Sequence, residues 1–165
     1  MPPVLALIGK PNCGKTTLIE KLIPALARKG VRTGTIKHHH GPIRMDTPGK
    51  DTWRHKRAGA ESVLIASPWK LSLVKDTDVE WSLDILVSRY MSDLDIVLTE
   101  GYKRAGMPQV EVFRKAAHES PLHTPSDTGS LIAIMSDTPV ALGVPNFDMD
   151  DVGALADLIE TSFLK

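Results

Sequence analysis

From Gly9 to Thr17 the chain reads Gly-Lys-Pro-Asn-Cys-Gly-Lys-Thr-Thr, which satisfies the spacing G-x-x-x-x-G-K-[ST]. That spacing suits one chemistry, the cradling of a nucleotide's phosphates by a loop between a strand and a helix. Gly9 lets the chain turn sharply, and Gly14 lets successive backbone N–H groups approach an anion with no Cβ in the way. Lys15 is placed to reach the β- and γ-phosphates and the Thr16 hydroxyl to ligate Mg²⁺, while the helix that opens here and runs on through Thr17 points its positive end at the same anion. Asn12 and Cys13 fill variable positions of the loop. Cys13 stands beside a lysine and a helix N-terminus, surroundings that activate a thiol, although a small residue filling the loop is the plainer role.

A nucleoside triphosphate carried with Mg²⁺ needs a carboxylate opposite the loop's hydroxyl. Glu100 is the first candidate, because it ends the apolar run Asp95-Ile96-Val97-Leu98-Thr99-Glu100 and Gly101 follows it. Asp46 is the second. It lies in the aperiodic stretch 38–50, which carries two glycines and two prolines; such a loop can close over a γ-phosphate and bring a metal ligand with it, or Asp46 is a turn residue before Thr47-Pro48-Gly49. The guanine-reading N-K-x-D sequence is absent, and Asp137, after Leu131–Ser136, either accepts the N1 and N2 donors of guanine or closes a turn before Thr138-Pro139. His38, His39 and His40 lack the cysteine pair or H-x-x-x-H spacing of a zinc site; His38 and His39 with Lys37 offer anion contacts, or the run is a plain exposed loop. Lys103, Arg104, Arg114 and Lys115 read as a solvated charged hairpin or a surface for an anionic partner. No catalytic base can be assigned.

These residues need a scaffold that gathers strand ends. Val4–Ile8 reads as a buried strand, and Leu18, Leu22 and Leu26 with Ile19 and Ile23 give a helix that stops at Arg28-Lys29-Gly30, Pro24 being expected to kink it or end it early. A strand resumes at Val31–Lys37, so the first 37 residues form a β-loop-α-β unit whose two strands are expected to pair in parallel. Asp51–Gly59 reads as a short helix with an aspartate at its start, and residues 62–66 and 69–74 as an antiparallel pair of strands. A helix capped by Asp78 is expected to run to about Met91 with Trp81, Ile85 and Tyr90 on its apolar side. Strands follow at 95–101, 110–113 and 131–135, with a polar connection over 116–129. A last helix, capped by Asp150 or Asp148, should bury Val152, Leu155, Leu158, Ile159 and Phe163. The alternation gives an α/β fold, a three-layer P-loop NTPase domain with a mostly parallel sheet plus an antiparallel edge hairpin, one domain over 1–165.

Twenty basic and twenty acidic side chains cancel, which leaves no global field to draw in nucleic acid or an anionic membrane. One cysteine excludes an internal disulfide, and with no signal peptide or long apolar run the chain reads as cytoplasmic.

With these residues in view the chain resembles the molybdopterin-guanine dinucleotide biosynthesis adapter proteins, the MobB family of P-loop GTP-binding proteins. The resemblance rests on Gly9–Thr17, Thr35-Ile36-Lys37-His38-His39-His40, Asp46-Thr47-Pro48-Gly49-Lys50-Asp51-Thr52, Arg57-Ala58-Gly59-Ala60, Thr99-Glu100-Gly101-Tyr102-Lys103 and Gly143–Asp148. It implies a homodimer that binds GTP with Mg²⁺, hydrolyses it weakly and assists the molybdenum cofactor guanylyltransferase. It supports Gly14, Lys15 and Thr16 as phosphate and metal contacts, with Asp46 and Glu100 around Mg²⁺. One departure is Lys10, which coincides with the extra lysine of the deviant P-loops of dimeric ATPases, although Pro11 and Asn12 replace that variant's glycines. Two rival readings are a small-molecule kinase with Arg54 and Arg57 on its lid, and a module that binds the anionic pterin itself in the P-loop.

Overall fold

Val4–Ile8 (β1) owes its unbroken apolar sequence to its place in the middle of a sheet: Leu5 to Ile8 are buried on both faces. The computed structural model describes residues 1–103 and 106–164, so Arg104 of the expected basic stretch lies outside the described residues. The chain divides into two compact units, Met1–His38 with Leu86–Lys165, and His39–Ile85.

In the larger unit β1 is followed by α1 (Lys15–Arg28), β2 (Thr33–Lys37), β5 (Ile96–Glu100), β6 (Gln109–Phe113), β7 (Leu131–Ser136), β8 (Asn146–Asp148) and α4 (Val152–Ile159), which runs on into a π-helical turn, Glu160–Leu164. The six strands form one sheet in the order β2-β5-β1-β6-β7-β8, with every neighbouring pair parallel. All the strand carboxyl ends therefore lie along one edge. The expected direct pairing of the first two strands is corrected here: β5 stands between β1 and β2 and pairs with both. Local pattern fixes a crossover but not which strand fills the gap, and Ile96 to Thr99, buried throughout, suits an interior position.

Side chains alternate between the faces. Val112, Ala133 and Met135 join Leu18, Leu22 and Leu26 of α1 and Leu155 and Ile159 of α4 in the main core, while Phe113 and Ile134 point the other way and pack with Leu131 and Leu142. Helix α1 continues through Pro24, whose position on the exposed side leaves the carbonyl it cannot bond facing water; it ends at Arg28, and Gly30 takes φ +79°. Asp151, not Asp150 or Asp148, caps α4, its Oδ1 accepting from the Ala154 N–H at 3.1 Å. Asp150 instead binds Lys21 at 2.6 Å and Asp148 accepts from the Asp150 N–H. Leu158 and Phe163 are only partly buried against the core.

The smaller unit holds α2 (Asp51–Arg57) and a two-stranded antiparallel sheet of its own, β3 (Ser62–Ala66) with β4 (Leu71–Lys75), in the register Ser62 to Lys75. The Ser67 hydroxyl closes the turn by accepting from the Lys70 N–H at 3.0 Å. Leu64, Ile65 and Leu71 are more than half exposed, and Trp69 is 92% exposed. Helix α3 (Leu83–Tyr90) straddles the boundary between the units and begins later than the sequence suggested. The Ser82 hydroxyl receives the Ile85 N–H in place of an Asp78 cap, and Leu83 and Val87 are buried while Ile85 and Tyr90 are exposed. Among the described residues no helix is long and apolar enough to cross a membrane.

Candidate functional site

The loop that follows β1 has the backbone its sequence demands. Gly9 adopts φ +152°, and a Cβ there would lie 2.5 Å from the Val112 carbonyl oxygen and 2.6 Å from Cys13 Sγ. Gly14 adopts φ +102° and Asn12 φ +60°, left-handed conformations that aim consecutive N–H groups into a concavity. Cys13 is fully buried and fills the loop from beneath. Lys15 folds over the loop, its Nζ donating to the carbonyl oxygens of Gly9 at 3.1 Å and Lys10 at 2.9 Å.

Parallel pairing brings β5 alongside β1, and with it Glu100. The Thr16 hydroxyl donates to Glu100 Oε2 at 3.3 Å, and Lys37 Nζ, at the end of β2, lies 3.3 Å from Glu100 Oε1. A hydroxyl and a carboxylate meeting beside a phosphate loop are hard oxygen donors, and Mg²⁺ takes few protein ligands while keeping waters and phosphate oxygens, so this donor pair fits that ion. Gly101 and Tyr102 turn the chain sharply after Glu100, with φ +104° and +56°, and the Tyr102 ring packs on His38 with 4.7 Å between centroids. Pro11, Asn12, Gly14, Lys15, Thr16 and Thr17 line a polar cavity of about 580 Å³ together with Lys37, Glu100 and Arg114.

Asp46 belongs to the smaller unit. Its Oδ1 accepts from the Thr47 N–H at 2.7 Å and the Thr52 hydroxyl at 3.0 Å, and its Oδ2 is buried with no hydrogen-bond partner among the described residues. The cations of α2 have neighbours within that unit: Arg57 lies 4.9 Å over the Trp53 ring, and Arg54 is 3.9 Å from Asp51. Asp137, just past β7, accepts from the N–H groups of Lys115 at 2.7 Å and Ala116 at 3.5 Å; a carboxylate so engaged still has lone pairs to offer.

Sequence reasoning missed the segment that backs the phosphate loop. Residues 114–123 run beneath it: His118 Nε2 donates to the Pro11 carbonyl at 2.6 Å, and Lys10 Nζ donates to the Ser120 carbonyl at 2.7 Å. Lys10, which the sequence left unplaced, thus ties the two loops within one chain. Glu111, buried at 1% exposure in the middle of β6, anchors the far end by accepting from the N–H groups of Leu122 and His123 and from His123 Nδ1 at 2.7 Å. An acidic residue inside an apolar strand was the available signal.

The family model described as molybdopterin guanine dinucleotide synthesis protein B matches residues 4–137. The chain is 40% identical over 162 residues to the molybdopterin-guanine dinucleotide biosynthesis adapter protein of Escherichia coli K12, covering 96% of this chain and 92% of that one. It is 33% identical over 159 residues to the protein of the same description from Haemophilus influenzae, covering 96% and 88%. The fold is similar to the crystal structure of Bacillus subtilis MobB, with a TM-score of 0.77 at 29% identity over 98% of both chains.

Proposed function

The chain belongs to the molybdopterin guanine dinucleotide synthesis protein B family, and from that premise we propose that it is an adapter in molybdopterin guanine dinucleotide biosynthesis that binds GTP with Mg²⁺. In this reading the loop amides of Gly9 to Gly14 and the Lys15 ammonium hold the phosphates, with Thr17 at the helix start. Thr16 and Glu100 hold the metal, which when bound neutralises phosphate charge, and Asp46 joins them when the 38–50 segment answers to a γ-phosphate. Asp137 reads the guanine edge. Hydrolysis is slow, since no glutamine that would position water is among the described residues lining the cavity. The adapter acts in the cytoplasm as a homodimer on the guanylyltransferase that attaches GMP to molybdopterin, and the exposed Leu64 and Leu71, which share one face of the hairpin, with the exposed Trp69 at its turn, are the surface a second copy would cover.

The observation that carries the reading is the convergence of Lys15, the Thr16 hydroxyl and the Glu100 carboxylate in one polar cavity at the carboxyl edge of the sheet. Calorimetric titration of GTP and ATP with and without Mg²⁺ tests it. Saturable GTP binding that strengthens with Mg²⁺ and is lost in Lys15→Ala supports it; no GTP binding, or binding indifferent to Lys15, overturns it. Retention of the guanylyltransferase on the immobilised protein tests the adapter role.

A further inference from the structure

The phosphate cavity has two flanks, because β1, from which its loop springs, is paired on one side with β5 and on the other with β6. The β5 flank supplies Glu100 with Lys37 beside it. The β6 flank supplies Arg114, the first residue past the strand. Its guanidinium lies against the loop, with Nη2 3.4 Å from where a Cβ on Gly14 would sit, and Arg114 lines the cavity with Gly14, Lys15 and Thr17.

The Arg114 backbone is tightly fixed. Its carbonyl accepts from both Ala117 and His118 at 3.0 Å, and the next two amides are held by Asp137. The following residues are bound to the phosphate loop through His118 and Lys10. By contrast, the guanidinium makes no hydrogen bond among the described residues; it acts through space on the Asp150 carboxylate, which Lys21 already binds at 2.6 Å. A guanidinium rooted in a fixed backbone, with no hydrogen bond among the described residues and standing at the wall of a phosphate-binding cavity, is placed for an anion that arrives there.

We infer that Arg114 is a phosphate-binding residue of the nucleotide site, gripping the phosphate chain from the β6 side while Thr16 and Glu100 address it from the β5 side. The planar guanidinium suits two parallel N–H···O bonds to non-bridging oxygens, a geometry that a lysine reproduces only as a point charge. The inference rests on the nucleotide-binding reading given above. It also assigns the 114–123 segment a purpose, that of presenting Arg114 to the loop it buttresses.

The test is titration of GTP, GDP and guanosine into wild type, Arg114→Ala, Arg114→Lys and Lys15→Ala, with thermal unfolding of each variant without nucleotide. Arg114→Ala is expected to raise Kd for GTP and GDP by about ten- to a hundred-fold, the range of a charge-assisted hydrogen bond. Its unfolding temperature should match wild type, Arg114→Lys should recover part of the affinity, and guanosine affinity should not change. Wild-type affinity for GTP and GDP in a folded Arg114→Ala, or an equal loss for guanosine, overturns the inference while Lys15-dependent binding leaves the nucleotide reading standing. Absence of any binding by wild type overturns both.

Discussion

Replacing Glu111 by alanine should be among the most damaging single changes in this protein, although the residue touches no part of the phosphate cavity. Its carboxylate is 1% exposed and receives three donors, the N–H groups of Leu122 and His123 and the His123 imidazole Nδ1–H. Alanine leaves all three without an acceptor. Leu122 and His123 are partly buried, with the His123 side chain 13% exposed, so water relieves only part of the loss; a buried orphaned donor costs about 1–3 kcal/mol, and the total is on the order of 3–5 kcal/mol. That is a large share of the roughly 5–15 kcal/mol that holds a domain together. At about 2–4 °C per kcal/mol for a chain of this size, the unfolding midpoint should fall by roughly 6–20 °C. Glu111→Gln separates hydrogen bonding from volume, because the carboxamide fills the same space but presents an NH₂ to one of the donors. It should lose roughly half as much. Urea unfolding followed by circular dichroism gives the free energy, and limited proteolysis reports whether cleavage moves into residues 116–129. An Ala variant melting within about 2 °C of wild type would refute the view that this carboxylate anchors the loop.

Gly9→Ala places a methyl group 2.5 Å from the Val112 carbonyl oxygen and 2.6 Å from Cys13 Sγ at φ +152°, and should cost about 2–4 kcal/mol by chemical unfolding as overpacking and backbone strain add. Gly34→Ala also meets close atoms, but they are the ends of the Leu94 and Met91 side chains at 2.6 and 2.8 Å, which can rotate away, so its loss in the same experiment should be clearly smaller. The bonds from the Arg32 side chain and amide hold the Asp95 carboxyl below its ordinary value near 3.8, so its contribution is present above that pH and is lost as pH falls through the lower folded value; the gap in unfolding midpoint between wild type and Asp95→Asn should be full at pH 7 and close in acid below pH 3.8. The paired change Trp69→Lys and Leu71→Lys, which adds charge to the exposed side of the hairpin, should halve the mass measured by sedimentation if a second copy covers that surface, and an unchanged mass excludes it.

The sequence by itself determined the turn from Gly9 to Gly14 and the strand and helix on either side of it. The reason is physical: a glycine that must take φ +152°, another at +102°, and an apolar strand followed by a helical repeat are constraints that act within a few residues and so are written there. Glu100 was legible for a related reason, since an acid that ends an apolar strand has only the strand's edge to occupy. Helix starts were less so. Asp78, Asp148 and Asp150 are as good as Ser82 and Asp151 on composition, and the choice went to whichever side chain could reach a free amide once the apolar face had docked. Strand order lay beyond local pattern altogether, because β5 comes between β1 and β2 only through pairings some sixty residues or more apart in the chain. The same holds for the supports of the site. Lys10 finds Ser120, His118 finds Pro11, Glu111 holds Leu122 and His123, and Arg114 comes to rest against Gly14 only because β6 is laid beside β1 in parallel. Chemistry that one loop performs can be read along the chain; chemistry shared between strand ends is decided when the sheet closes.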